Sequence, residues 1–305
     1  MTAPADLDVA IVGSGFSGIA MAVALQRAGV TSYRIFEKAP SLGGTWRDNT
    51  YPGAACDVPS HLYSFSFAPN PGWSRSYSPQ AEILAYLERC ADTLGVRPHI
   101  RFNAEVTDAR FDADAGLWRV TLRDGETLTA RALCLGVGAL HVPALPDIPG
   151  RDTFAGPSFH SARWDHAYDL TDKTVAVVGT GASAIQFVPQ VAPQVRRLHL
   201  FQRTPAWVVP KDDRAIAPWA QQLYAAVPAA QRAVRAAIYL QMESRAVGFV
   251  WEPRILRALE ALVRLHIRRS VPDPALRDKL TPRYRMGCKR ILLANDYYPA
   301  LVRPN

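Results

Sequence analysis

The chain has 305 residues, 49% hydrophobic and 20% charged, with a formal net charge of +8, a length that accommodates two domains with cores of their own. The positive balance invites a polyanionic partner, but no helix-turn-helix, zinc-finger or RNA-binding signature accompanies it, so nucleic acid is not expected to bind. Four scattered cysteines, at 56, 90, 134 and 288 and with no C-x-x-C pair, argue against a zinc site, expected to be absent along with any other metal, and fit a reducing cytoplasm; no apolar run approaches the ~18 residues of a membrane span.

The N-terminus, Met-Thr-Ala-Pro-Ala-Asp, lacks the positive n-region of a signal peptide. Asp8 to Val12 is a short apolar run that reads as a buried parallel strand. A glycine turn follows, then good helix formers from Ile19 to Ala28 closed by Gly29, then a second strand, Tyr33 to Phe36. Tyr51 to Pro79 lacks periodicity and is rich in Pro, Ser, Tyr and Trp, so it reads as an ordered loop. Gln80 to Leu94 is helical in pattern. Ile100 to Leu135 reads as strands joined by turns at 112–116 and 123–125. Pro143, Pro146, Pro149 and Gly150 stiffen a connector. Thr174 to Val178 opens a second βαβ unit whose second strand is Leu198 to Phe201. Residues 214–270 read mainly as helices, with breaks near Pro228, Pro253 and Pro272.

The expected fold class is α/β, with two Rossmann-like dinucleotide-binding domains. The first is expected over 1–142, a hinge over 143–173, and the second over 174–305 with a helical insertion at about 211–285. Gly13-Ser-Gly15-Phe16-Ser-Gly18 follows a strand and opens a helix. The first glycine makes the tight turn, the second lets the backbone approach a pyrophosphate, and the third lets helix and strand pack closely. The helix N-terminus supplies N–H groups and a positive dipole end to the phosphates. Glu37 ends the second strand, 19 residues past Gly18. A carboxylate there accepts from ribose hydroxyls and repels a 2′-phosphate, which selects FAD or NAD over NADP.

In the second fingerprint, Gly179-Thr180-Gly181-Ala182-Ser183-Ala184, alanine replaces the third glycine, a tolerated variant. No acidic residue closes its second strand; Phe201-Gln-Arg203-Thr204 stands there instead. A guanidinium grips a 2′-phosphate bidentately, so this site favours NADPH over NADH. A Glu-ended flavin unit and an Arg-ended NADPH unit imply hydride transfer from nicotinamide to flavin.

Between the fingerprints lies Phe154-Ala-Gly156-Pro-Ser-Phe-His160-Ser-Ala-Arg-Trp164-Asp165. This F-x-G-x-x-x-H-x-x-x-W-D pattern resembles the signature of the type I Baeyer–Villiger monooxygenases, class B flavoproteins of the flavin-containing monooxygenase superfamily. Four further segments carry the same resemblance: both fingerprints, Gly43-Gly-Thr45-Trp46 with Tyr51-Pro-Gly53 and Asp57, and Gly287-Cys-Lys289-Arg290 with Tyr297-Tyr-Pro299. Disulfide reductases share the two-domain layout but need a redox-active cysteine pair that the sequence lacks. The linker of the N- and S-oxygenating flavin monooxygenases, the alternative within the superfamily, lacks the Trp-Asp ending.

The resemblance implies an NADPH- and FAD-dependent monooxygenase that inserts one oxygen atom from O2 beside a ketone carbonyl, giving an ester or lactone by way of a C4a-peroxyflavin. It places Thr45, Trp46, Asp57, Tyr63 and Val106 near FAD, with Leu135-Gly-Val-Gly138 completing that site. It makes Arg290 the catalytic arginine, oriented by Asp57, counts Arg290 among the NADP-binding residues as well, and sets Lys289 beside Arg203 and Thr204 on the NADP phosphate. Phe154, Gly156, His160 and Trp164 are expected to position domains rather than transfer protons. Family members continue beyond the arginine segment, so the chain ending at Asn305 is expected to be truncated; a catalytically impaired dinucleotide-binding fragment is the remaining alternative. Ketone identity and oligomeric state are not written in these motifs.

Overall fold

The computed structural model describes residues 4–139, 141–252 and 254–305. They form two compact units: the chain up to Thr50 with Gln80–Arg163, and Tyr51–Pro79 with Trp164–Asn305. The boundary at Arg163/Trp164 falls inside the F-x-G linker. Tyr51–Pro79, expected in a domain over 1–142, belongs to the second unit. A segment without its own ladder must find partners for its backbone, and this one finds them there. Ser76 N–H donates to the Arg214 carbonyl at 2.8 Å, and Ile216 N–H donates to that of Ser74 at 2.9 Å. Isolated bridges join Ala55 to Pro79 and Arg75 to Ala215.

The first unit is built on a six-stranded sheet in the order β3-β2-β1-β6-β5-β4. Strands β1 (Leu7–Val12), β2 (Tyr33–Phe36), β3 (Ile100–Arg101) and β6 (Thr127–Leu135) are parallel. Strands β4 (Val106–Asp112) and β5 (Leu117–Leu122) continue the sheet antiparallel through the two expected hairpins. Val12 pairs with both Phe36 and Leu135, so three strands end level and the glycine turn leaves from that edge. Ile11 and Ile35 are fully buried, and Ala10, Phe36, Val120, Leu122 and Ala130 form one core cluster. Helix α1 (Phe16–Arg27) starts three residues before the expected Ile19, directly on the fingerprint. The unit also holds the short α2 (Thr45–Asp48) and α3 (Gln80–Thr93).

In the second unit β7 (Thr174–Val178) and β8 (Arg197–Phe201) pair in parallel around α4 (Ala184–Val191). A second parallel pair joins β9 (Val208–Val209) to β10 (Leu292–Leu293). Between β9 and β10 the helical insertion runs as α5 (Pro218–Ala226), α6 (Pro228–Ser244), a π-helical turn (Val247–Trp251), α7 (Arg254–Ser270) and α8 (Pro274–Leu280). Helices α5, α6 and α8 each begin on proline, whose fixed φ and missing N–H suit a first turn. Both Asp273 carboxylate oxygens cap α8, accepting from Ala275 and Leu276 N–H. The breaks at Pro228 and Pro272 appear as expected; Pro253 lies outside the described residues. Val263 and Ile267 of α7, one turn apart, enter the core with Val188, Trp207, Tyr297 and Tyr298. Helix α9 (Tyr297–Leu301) closes the chain. Among the described residues no helix is long and apolar enough to cross a membrane.

Candidate active site and nucleotide sites

The first glycine turn is held by sterics that no other residue satisfies. Gly13 has φ +97°, and a Cβ on it would lie 2.6 Å from the Gly136 carbonyl oxygen. Gly136 belongs to the Leu135–Gly138 segment, and its N–H donates to the Val12 carbonyl at 2.8 Å. A Cβ on Gly18 would come within 1.9 Å of the Gly13 oxygen, whereas one on Gly15 meets nothing within 4 Å. Two glycines thus set the close packing, and the third leaves open space at the N-terminus of α1. Phe16, the first residue of that helix, faces Tyr86 of α3 with ring centroids 6.3 Å apart.

Glu37 is 4% exposed. One carboxylate oxygen accepts from Ser14 N–H (3.0 Å) and Ser14 Oγ (2.7 Å), the other from Ala39 N–H (3.0 Å) and Arg47 Nη1 (3.2 Å). Burial pushes the carboxyl up, but the Ser14 and Ala39 hydrogen bonds and the Arg47 charge outweigh it and hold Glu37 below the usual range. Arg47 also forks onto Asp48 at 2.8 and 3.1 Å, and Asp48 lies 3.2 Å from His141 Nδ1. Sequence reasoning missed Arg47; its signal was a cation one helical turn from the G-G-T-W glycines. Thr45 and Trp46 open α2, whose turn is tied to the fingerprint by Gly43 N–H donating to the Ser14 carbonyl at 3.2 Å. Val106 opens β4 and packs against the core cluster.

The second fingerprint repeats the first. Gly179 N–H donates to the Phe201 carbonyl at 2.9 Å, as Gly13 N–H does to that of Phe36 at 2.8 Å. Cβ atoms on Gly179 and Gly181 would meet nothing within 4 Å. Ala182 packs against the core, Ser183 precedes α4, and Ala184 is buried. Thr180 Oγ1 donates to the Thr204 carbonyl at 3.5 Å. Arg203, Thr204 and Lys289 converge on one cavity of about 920 Å³, which Lys279 and Arg283 also line. Lys289 Nζ lies 4.9 Å from the centre of the Tyr284 ring. Arg290 does not line this cavity; its guanidinium donates instead to Asp57 Oδ2, across 233 residues of sequence.

Asp57 and Tyr63 lie in the second unit, and the other residues expected near flavin lie in the first. Tyr63 N–H donates to the Pro59 carbonyl at 2.9 Å. The Asp57 loop is anchored by Gln186 of α4. Its Oε1 accepts from Tyr51 Oη (2.9 Å) and Ala55 N–H (3.4 Å), and its Nε2 donates to the Ala55 carbonyl (2.9 Å). Gln186 was missed as well; a lone amide on the apolar face of Ala-Ile-Gln-Phe-Val was the available signal. In the linker, Trp164 packs on Phe187 of α4 with ring centroids 5.2 Å apart. His160 Nδ1 accepts from Ala162 N–H and Asp165 Oδ1 from Ala167 N–H, both at 3.0 Å. Phe154 is exposed, and the tip of its ring lies over Gly156. All four cysteines are free.

Residues 10–244 match the pyridine nucleotide-disulphide oxidoreductase family. A Baeyer–Villiger monooxygenase of Streptomyces coelicolor is 53% identical over 297 residues, covering 97% of this chain and 57% of the relative. Among solved structures, an oxidised steroid monooxygenase bound to NADP superposes with a TM-score of 0.87 at 34% identity, over 98% of this chain and 64% of that one. OTEMO in complex with FAD and NADP gives 0.85 at 30% identity, over 99% and 65%. The chain therefore spans somewhat over half the length of the relatives it matches. With a family model matching most of its length and both fingerprints in place, the chain belongs to the pyridine nucleotide-disulphide oxidoreductase family, and it is similar to a Baeyer–Villiger monooxygenase over 97% of its own length.

Proposed function

We propose that the protein binds FAD through the Gly13–Gly18 unit and NADPH through the Gly179–Ala184 unit, and inserts one atom of O2 beside a ketone carbonyl. The products are an ester or lactone, water and NADP+. Residues up to 142 serve the flavin and residues 174–305 the nicotinamide, with 143–173 as the hinge. The open space at Gly15, Gly179 and Gly181 fits two pyrophosphates against helix N-termini. The relatives bound to NADP, and to FAD with NADP, support the same pair of cofactors.

When bound, NADPH supplies the hydride and FAD carries the electrons that activate dioxygen. The chain's own groups do the rest. Glu37 places a carboxylate where a 2′-phosphate would be repelled, and Arg203 and Lys289 bring positive charge to the cavity where one would be neutralised. The observation that carries the reading is the Arg290–Asp57 pair. A permanently charged guanidinium, oriented by a carboxylate, stabilises the oxyanion that forms when a peroxide adds to a ketone. Asp57 sets the direction of that guanidinium and moves no proton. Trp164, in the hinge segment, packs on Phe187 of the nicotinamide unit. Four free cysteines support a reducing, cytoplasmic setting.

The test is incubation with FAD, NADPH and a ketone under isotopically heavy dioxygen. An ester carrying one heavy oxygen is expected. NADPH consumption that yields only peroxide, or oxygen transfer to amines and sulfides but never to ketones, overturns the reading.

A further inference from the structure

Lys289 and Arg290 are adjacent in sequence but go to different places. Lys289 lines the cavity shared with Arg203 and Thr204, while Arg290 turns to Asp57. The segment that parts them, 281–291, runs between α8 and β10 and belongs to no helix or strand. Its backbone groups have no ladder and must find other partners. The buried Trp207 indole donates to the Tyr284 carbonyl at 3.0 Å. Cys288 N–H donates to the Arg285 carbonyl at 3.2 Å and closes a turn. Inside that turn, Met286 N–H donates to Glu260 Oε1 at 2.8 Å.

Glu260 sits on α7 about one turn before Val263 and two before Ile267, so its side chain leaves the helix on the face that enters the core. A carboxylate on that stripe is costly without a partner. The Met286 N–H is one, and a bond from an N–H to a carboxylate is stronger than one to a neutral oxygen. Met286 is 2% exposed, so little water reaches an N–H left unpaired there. The same helix reaches the turn on both sides of Met286. Arg264, one turn past Glu260, lies 5.5 Å from the centre of the Trp207 ring that holds Tyr284. Gly287 has φ +95°, and a Cβ on it would lie 2.8 Å from Phe249 Cε1 in the π-helical turn and 3.9 Å from Leu256 Cδ1.

We propose that Glu260 is a positioning residue for Lys289 and Arg290. By anchoring Met286 N–H it fixes the turn that sends one cation to the phosphate cavity and the other to Asp57. The roles of the two cations rest on the reading above; the anchoring does not. Without the acceptor, the chain is released three residues before Lys289 and four before Arg290. A misplacement of about 1 Å at a binding or reacting group can cost as much as about 10²-fold. The effect therefore reaches both groups although Glu260 does not line the cavity.

Two measurements decide it. The first is amide hydrogen exchange of the full chain, read by mass spectrometry on peptides. Glu260→Ala should speed exchange at Met286 on the order of tenfold or more and leave β7 (Thr174–Val178) unchanged. Glu260→Gln, whose amide oxygen still accepts, should restore most of the protection. Unchanged exchange at Met286 in Glu260→Ala, equal loosening of β7, or no rescue by Gln overturns the proposal. The second is calorimetric binding of adenosine 2′,5′-bisphosphate and of AMP, which needs no flavin. Glu260→Ala should weaken the bisphosphate on the order of tenfold, leave AMP unchanged, and lower the kcat of ester formation in the loaded protein. Equal effects on both nucleotides, no effect on either, or a wild-type kcat overturns it. If the wild type does not prefer the bisphosphate to AMP, or forms no ester, the NADPH or the oxygenation reading fails, while exchange at Met286 still decides whether Glu260 anchors the turn.

Discussion

Replacing Gln186 with alanine removes the amide that joins α4 to the Asp57 loop. Three groups lose a partner at once: Tyr51 Oη, Ala55 N–H and the Ala55 carbonyl. Tyr51 is 8% exposed, while Ala55 is only half-buried. A buried polar group left unsatisfied costs about 1–3 kcal/mol, and one that water reaches costs less. Tyr51 retains an interaction with Ser183 that softens its loss. The sum is about 2–4 kcal/mol of unfolding free energy for Gln186→Ala. Tyr51→Phe, which deletes one donor and leaves the Ala55 bonds, should cost about 1 kcal/mol. Urea denaturation of the two single variants and the double variant measures both costs and their coupling. If Gln186→Ala unfolds within about 0.5 kcal/mol of the wild type, the loop is not held by this amide and the reasoning fails.

Other consequences are equally direct. Gly18→Ala drives a Cβ to within 1.9 Å of a backbone oxygen and should cost about 3 kcal/mol or more. Gly15→Ala meets nothing, so its denaturation midpoint should stay put while flavin binding weakens; fluorescence titration separates the two effects. Arg203→Ala should raise the NADPH KM on the order of tenfold or more and leave that for NADH unchanged in steady-state assays; equal effects on both would remove the phosphate role. Glu37 is held below the usual carboxyl range, so its stabilisation is present above the unfolded-state pKa and is lost as pH falls through the folded one. The stability gap between wild type and Glu37→Gln, followed by denaturation at successively lower pH, should therefore close on acidification.

The local periodic elements were legible because their residues declare them. Asp8–Val12 and Thr174–Val178 are apolar runs ended by glycine, and both became parallel strands feeding a helix. The convergence of Arg203, Thr204 and Lys289 on one cavity was anticipated through motif resemblance rather than periodicity. What escaped was tertiary. No periodicity tells that Tyr51–Pro79 leaves the unit that encloses it in sequence, because its backbone partners lie near 214–216. Gln186 and Arg47 read as ordinary helix residues until the folded chain supplies Ala55 and Glu37 to bond them.

In the proposed reaction the Arg290 guanidinium, aimed by Asp57, stabilises the oxyanion of ketone oxygenation. Rapid-mixing of Arg290→Ala with NADPH, then with oxygen and ketone, tests it most directly. Flavin reduction should proceed while ester formation falls by about 10²–10³ or more. Ester formation at the wild-type rate in that variant would contradict it.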